Sequence, residues 1–360
     1  MLENECYLLL ATQCTAIATY PCTNDVISHI DRVVAVPVEK EGSPAKLDAP
    51  SSKLEKIKNS QKKVIQYVTG KGNTIRLIDE ILRLFNDSGD FYICFNRDIT
   101  LNTQKNFSTK QTNKCFFWNR AMLADLYDDN GFPLPGTDDW IVPICQGFVV
   151  EKKVSLEAET ELKITLISRR SVNRAGVRYL KRGVDEDGNV ANFVETEVAL
   201  TVFGHCLSFV QIRGSVPVFW MQQGYRYRPP LVISKTFAES LPAFSNHIQK
   251  MTECYGAPLT MVNLVEQSGR EAQLAVSFLQ HILHLNSVDV AYFTFDFHFR
   301  CRGLRFHKVA DLISALSEQI TMTGFCWVDK SGEMVREQHG VIRTNCVDCL
   351  DRTNVVQVIC

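Results

Sequence analysis

Several common partners are excluded by what this 360-residue chain lacks. It has almost no net charge, 39 Lys and Arg against 40 Asp and Glu, formally −1. That excludes a globally cationic surface of the kind that coats nucleic acid and leaves only local fields. No apolar run reaches bilayer-spanning length. The nearest, CYLLLATQCTAIATYPC (6–22), is short and polar, and Glu3 and Glu5 precede it where a secretory leader carries cations. It reads as core sequence or as a badly defined start. Histidine is scarce, eight residues without His-x3-5-His spacing, and a second Cys-x-x-Cys is missing, so a closed zinc site lacks half its ligands. The thirteen cysteines are odd in number and irregularly spread, which argues for reduced thiols and against a disulfide framework. No internal repeat is evident.

What is present is ordinary globular material, 45% hydrophobic and 22% charged, in a chain long enough for two domains. Residues 35–63 concentrate charge, Pro and Ser and read as an exposed insertion. Apolar residues at helical spacing (Ile75, Ile78, Leu82, Phe85) predict a helix over 73–86, followed by a strand at FYICF. DDNGFPLPGTDDW (128–140) is the strongest loop signal, which predicts domains of 1–137 and 138–360. Beyond it, ELKITLISRRS alternates as a strand, and 177–203 reads as two long strands around a turn at Asp185–Gly188. Helices near 270–285 and 308–322 alternate with the strands VAYFTFDF, FCWV and GVIRTN. The pattern predicts an α/β (α+β) fold, with a small N-terminal domain ahead of a mixed sheet covered by helices.

The last residues, RTNCVDCLDRTNVVQVIC (343–360), carry the chemistry. Cys-x-x-Cys and Cys-x5-Arg overlap on Cys346, so spacing alone leaves a redox pair, a zinc half-site, structural thiols and a phosphate cradle open. Context favours the cradle. An apolar strand ending at Asn345 and a helix opening near Thr353 make a strand-loop-helix turn, where backbone N–H groups converge on an anion at a helix N-terminus. Cys346 would face that positive end and the Arg352 guanidinium, and both favour a thiolate. A second feature is Lys163–Arg182, seven basic residues without one acid, a local field suited to a polyphosphorylated headgroup or an anionic leaflet. Strand alternation would place Arg178 and Arg182 on one face and Lys181 on the other. Aromatic interleaving of the kind that reads nucleic acid is missing.

RTNCVDCLDRTNVVQ closely resembles the signature of the Sac-domain phosphoinositide phosphatases. SRRSVNRAGVRYLKRGVDEDGNVANFVETE (168–197), RGSVPVFW (213–220) and FDFH (295–298) look like further blocks of that family in its order. Details such as VNLVEQSGRE, CRGLRF and FCWVDKSG are most similar to its soluble endosomal branch. The likeness covers roughly 74–360; residues 1–60 match the family's amino-terminal domain poorly. The family's domain continues past the signature, so a C-terminally incomplete chain is expected.

The resemblance implies metal-independent hydrolysis of a phosphoinositide phosphomonoester, first choice phosphatidylinositol 4-phosphate, without a cofactor. Cys346 would be the nucleophile, Arg352 the oxyanion clamp and Asp348 the acid and base, with Val347, Cys349, Leu350, Asp351, Thr353 and Asn354 completing the loop. Asp351 would orient Arg352 or cap the helix, Thr353 would donate to the thiolate, and Cys349 would be inert or trap Cys346 as a disulfide. Arg178, Lys181, Arg182 and Arg343 would meet the headgroup. His298 is expected to be a satisfied core or supporting residue with Asp296 as partner. The implied setting is the cytoplasmic face of endosomal or other intracellular membranes, in peripheral contact with an anionic lipid surface. A protein or dual-specificity phosphatase and a non-catalytic phosphoinositide-binding scaffold are the alternatives.

Overall fold

A computed structural model describes residues 6–38, 71–108, 113–155, 160–177, 180–222, 229–348 and 351–359. Most of the predicted 35–63 insertion lies outside these; residues 35–38 are the end of a strand and not part of a loop.

The chain opens with two long antiparallel strands, β1 (Cys6–Thr19) and β2 (Val26–Val38). β1 is an edge strand with most of its side chains in solvent, which corrects its reading as core sequence. Helix α1 (Lys71–Ser88) lays Phe85 against Ile30 and Val33 of β2, and Asn86 bonds both Val33 N and Val33 O. β3 (Phe91–Cys94) pairs with β2 on one side and with β4 (Cys145–Ser155) on the other. The sheet therefore runs unbroken across residues 137–138. A short helix, α2 (Thr103–Ser108), docks beside it, and 128–140 is a loop of turns and short 3-10 segments.

β4, β5 (Glu161–Arg170), β6 (Val194–Val202) and β7 (His205–Gly214) form an antiparallel meander. Among the described residues of 177–184 the predicted strand is not formed. Its described residues lie in a turn-rich connection, and only the bridge Val184–Val190 closes around the turn at Asp185–Gly188. A small hairpin, β8 (Trp220–Gln222) with β9 (Leu231–Ile233), precedes α3 (Phe237–Tyr255). Thr236 opens α3 with a capping box: Glu239 N donates to its hydroxyl while Glu239 accepts from Thr236 N.

The second half switches to parallel pairing. β10 (Leu259–Asn263), α4 (Ala272–Leu285), β11 (Val290–Thr294), the single turn α5 (Phe297–Arg300), α6 (Val309–Thr323), the hairpin β12 (Cys326–Val328) and β13 (Met334–Arg336), β14 (Val341–Asn345) and α7 (Asp351–Ile359) follow in order. The main path of the twelve-stranded sheet is β1-β2-β3-β4-β5-β6-β7-β14-β10-β11, antiparallel up to β7 and parallel from there. Alternation along β14 sends Val341 to the face covered by α3 and α4, with Met261, Phe244, Leu274 and Phe278. Ile342 goes to the other face, with Val262, Leu312, Leu316 and Val356 of α6 and α7. The mixed sheet flanked by helices is the predicted class.

Candidate active site

β14 lies between two parallel neighbours, and all five of its residues are buried. In such sheets ligands gather beyond the carboxyl ends of the strands. The chain leaves Asn345 into Cys346, turns, and enters α7 at Asp351, so the loop delivers its backbone to a helix N-terminus. Cys346 is buried in the cluster with Val262, Leu264, Phe295 and Val356. Val347 packs on the opposite side with Val216 and Val218. Cys349 and Leu350 lie outside the described residues.

Arg352, in the first turn of α7, is gripped by Glu271: Nη1 donates to Oε2 at 3.1 Å and Nη2 to Oε1 at 3.3 Å. Glu271 Oε2 also accepts from Glu266 N at 3.0 Å, which ties the loop after β10 into the same arrangement. Burial alone would lower the guanidinium's pKa. Cys346, Glu271 and Glu266 together outweigh burial and hold it above the ordinary arginine value.

Arg182 acts on the loop from the other side. Its Nη1 donates to Val347 O at 2.7 Å, and its Nη2 donates to Asp348 Oδ1 at 2.5 Å and Gln222 Oε1 at 3.0 Å. Its side chain is almost wholly buried and lies over the Trp220 ring. Gly183 sets this direction. Its φ is +65, and a Cβ there would stand 2.5 Å from Val218 O, so only glycine fits. Arg182 is therefore spent on the loop and does not face solvent as a strand residue would. Lys181 is exposed beside it, and Arg178 lies outside the described residues.

The remaining predicted residues separate. Asp348 is half-exposed and paired with Arg182. Asp351 is exposed in the first helical turn, and Thr353 is fully buried. Asn354 accepts from Arg213 Nη1. Arg343 is fully buried on β14 and donates to Ser215 O at 3.0 Å, which corrects its assignment to the headgroup: it lies beneath the loop, inside the sheet–helix layer. His298 is exposed, with Nδ1 3.5 Å from Glu266 Oε1, so it is not a core histidine and Asp296 is not its partner. Asp296 instead caps α5 through Phe299 N and accepts from Gln267 N.

Glu271 and Arg213 were not anticipated. Glu271 reads in sequence as an acid at a helix start, and nothing local marks its partner in α7. Arg213 sits in the quoted block RGSVPVFW without a feature that distinguishes it from a strand-end cation.

A guanidinium held by a carboxylate and a buried cysteine flank the start of α7, groups whose chemistry suits a tetrahedral oxyanion. The chain belongs to the SacI homology domain family: residues 1–302 match it, which includes the first 60 residues that were expected to match poorly and leaves the cysteine loop beyond the matched span. It is similar to phosphatidylinositide phosphatase SAC2 of Danio rerio, 42% identical over 314 residues, covering 78% of this chain and 28% of that protein. SAC2 of Homo sapiens is 39% identical over 314 residues, 78% of this chain and 27% of that protein. Phosphatidylinositol-3-phosphatase SAC1 of Saccharomyces cerevisiae is 38% identical over 300 residues, 78% of this chain and 47% of that protein. The chain spans less than a third of the length of its SAC2 relatives and about half of the SAC1 relative.

Proposed function

We propose that the chain carries the catalytic loop of a phosphoinositide phosphatase, which hydrolyses a phosphomonoester on an inositol ring through a phosphocysteine intermediate. The observation that carries this reading is the two-bond grip of Glu271 on Arg352 in the first turn of α7, on the loop that follows the buried Cys346. The Cys346 sulfur attacks phosphorus, forming S–P as the inositol O–P bond breaks. The departing oxygen takes a proton from Asp348. Water then attacks phosphorus and gives its proton back to Asp348, S–P breaks, and inorganic phosphate leaves. Arg352 and the loop N–H groups from Val347 to Arg352 meet the charge that builds on the equatorial oxygens. Asp351 and Asn354 shape the first turn of α7, and Arg182 keeps Val347 and Asp348 in place.

Phosphatidylinositol 4-phosphate is the first-choice substrate, Lys181 and Arg178 are the proposed headgroup contacts, and the setting is peripheral on endosomal or related membranes. Among the described residues no helix is long and apolar enough to cross a bilayer. Phosphate release from a panel of short-chain phosphoinositides, by the full chain and by Cys346→Ser, tests the reading. Release should fall at least about 10^4-fold in the variant. Retained release contradicts the reading, and preference for phosphopeptides moves the substrate class to protein.

A further inference from the structure

The rim that carries Cys346 also carries residues that the proposed chemistry does not use. β14, β10 and β11 pair in parallel register, so Asn345, Asn263 and Thr294 end level with one another. Neighbouring strands lie about 4.8 Å apart. The chain leaving β11 therefore turns over the same rim, two strands from the cysteine loop. Phe297, Cys301 and Val309 anchor it in the core. Between them stand Arg300, Arg302, Arg305 and Lys308, all exposed, and residues 297–309 contain no acid. Among these cations Phe299 is 77% and Leu304 78% exposed. Gly303 and Leu304 both take left-handed φ, +71 and +62, which makes a tight turn at the apolar tip.

This turn is fixed to the site. Gln267 N donates to Asp296 at 3.1 Å, and Glu266, beside His298, gives its N–H to the carboxylate that holds Arg352. The opposite flank is smaller: Leu180 is 80% and Val177 61% exposed, beside the exposed Lys181 and the buried Arg182 that grips the loop. Single exposed apolar residues are ordinary. Two apolar tips flanking one loop, one among four exposed cations and the other beside exposed Lys181, match a surface that sinks apolar side chains into the headgroup boundary and pairs its cations with anionic lipid.

We infer that this rim docks on an anionic bilayer, with Phe299 and Leu304 entering on one side of the catalytic loop and Val177 and Leu180 on the other. The inference rests on the phosphoinositide reading above and adds the surface that would present the lipid. The docked rim places the loop at headgroup depth, where a ring phosphate is reached without extracting the lipid.

The test compares two readouts on the full chain: co-sedimentation with phosphatidylcholine–phosphatidylserine vesicles carrying phosphatidylinositol 4-phosphate, and phosphate release from those vesicles and from a soluble short-chain analogue. Phe299→Ser with Leu304→Ser should lower vesicle binding and vesicle turnover at least about tenfold, with turnover of the soluble analogue unchanged. Leu180→Ser, on the other flank, should shift the same ratio independently. Vesicle binding kept in both variants overturns the proposal and marks the rim as a surface for a soluble partner. Equal loss on vesicles and soluble analogue in both variants also overturns it. A chain that binds vesicles but hydrolyses neither substrate refutes the phosphatase reading and leaves the docking standing.

Discussion

Arg352 takes its direction from a carboxylate 81 residues earlier in the chain. A guanidinium that must meet two phosphoryl oxygens at once has to be aimed before the ester arrives, and Glu271 does this with two bonds. Glu271→Gln keeps the size of the side chain and one acceptor but loses the charge and the second oxygen. Its kcat should fall about a hundredfold, while the urea unfolding midpoint moves little; steady-state kinetics beside denaturation checks both. Arg182→Lys removes the fork that spans Val347 O and Asp348. It should lower kcat on a soluble substrate roughly tenfold or more, and a KM that rises with kcat unchanged would show that Arg182 does not hold the loop.

The elements are bolted together by charge inside the sheet. Arg169 of β5 is fully buried and donates from Nη1 to Glu195 at 3.1 Å, from Nη2 to Glu197 at 2.8 Å, and from Nε to Ile99 O at 2.7 Å. Glu197 also accepts from Thr103 N at the start of α2 and from Ser208 of β7, and Glu195 accepts from Tyr255 at the end of α3. The network joins the N-terminal strands and α2 to the meander that leads to the cysteine loop. Arg169→Met strands two buried carboxylates and should cost about 3–5 kcal/mol in equilibrium unfolding. Burial by itself would raise the Glu197 pKa, but Arg169 and the hydrogen bonds from Ser208 and Thr103 outweigh it and hold the carboxyl below its ordinary value. Its stabilisation is therefore complete above the unfolded carboxyl range and is lost as pH falls through the lower folded value.

This network also marks where the sequence was legible. β5, β11 and β14 show as alternating or continuous apolar runs, and α1 and α6 as helical periodicity. Residues 177–184 mimic a strand equally well. There, the left-handed Gly176 and Gly183 and the pull of Arg182 onto the cysteine loop prevail over propensity. α3 was missed although its capping box at Thr236 and Glu239 is written in sequence, because Pro242 and its polar residues dilute the helical pattern. Arg343 could not be foreseen as buried, since a charged residue in a strand is expected to face water.

Across the described residues, one continuous sheet runs from β1 to a rim where loop, helix end and exposed apolar tips meet. Its acid sensitivity should begin before any carboxylate titrates. His247 of α3 is fully buried, and its Nδ1 donates to Gly188 O at 2.7 Å. Burial, helped by the charge of Arg343, pushes its pKa well below the ordinary 6.5. The unfolded chain binds a proton there as pH drops below about 6.5 and the folded chain does not, so stability falls with pH. Urea midpoints should decline from about pH 7 to about pH 5, and His247→Asn, which can keep the bond to Gly188 O, should flatten that slope.

The most direct test of the central claim, that Cys346 and Arg352 act on one bound phosphate, is a rapid denaturing quench during turnover of a phosphate-labelled phosphoinositide, followed by peptide mapping. The account predicts label on the peptide containing Cys346, with none in Cys346→Ser. Full turnover with no labelled cysteine, or with label on another residue, would contradict it.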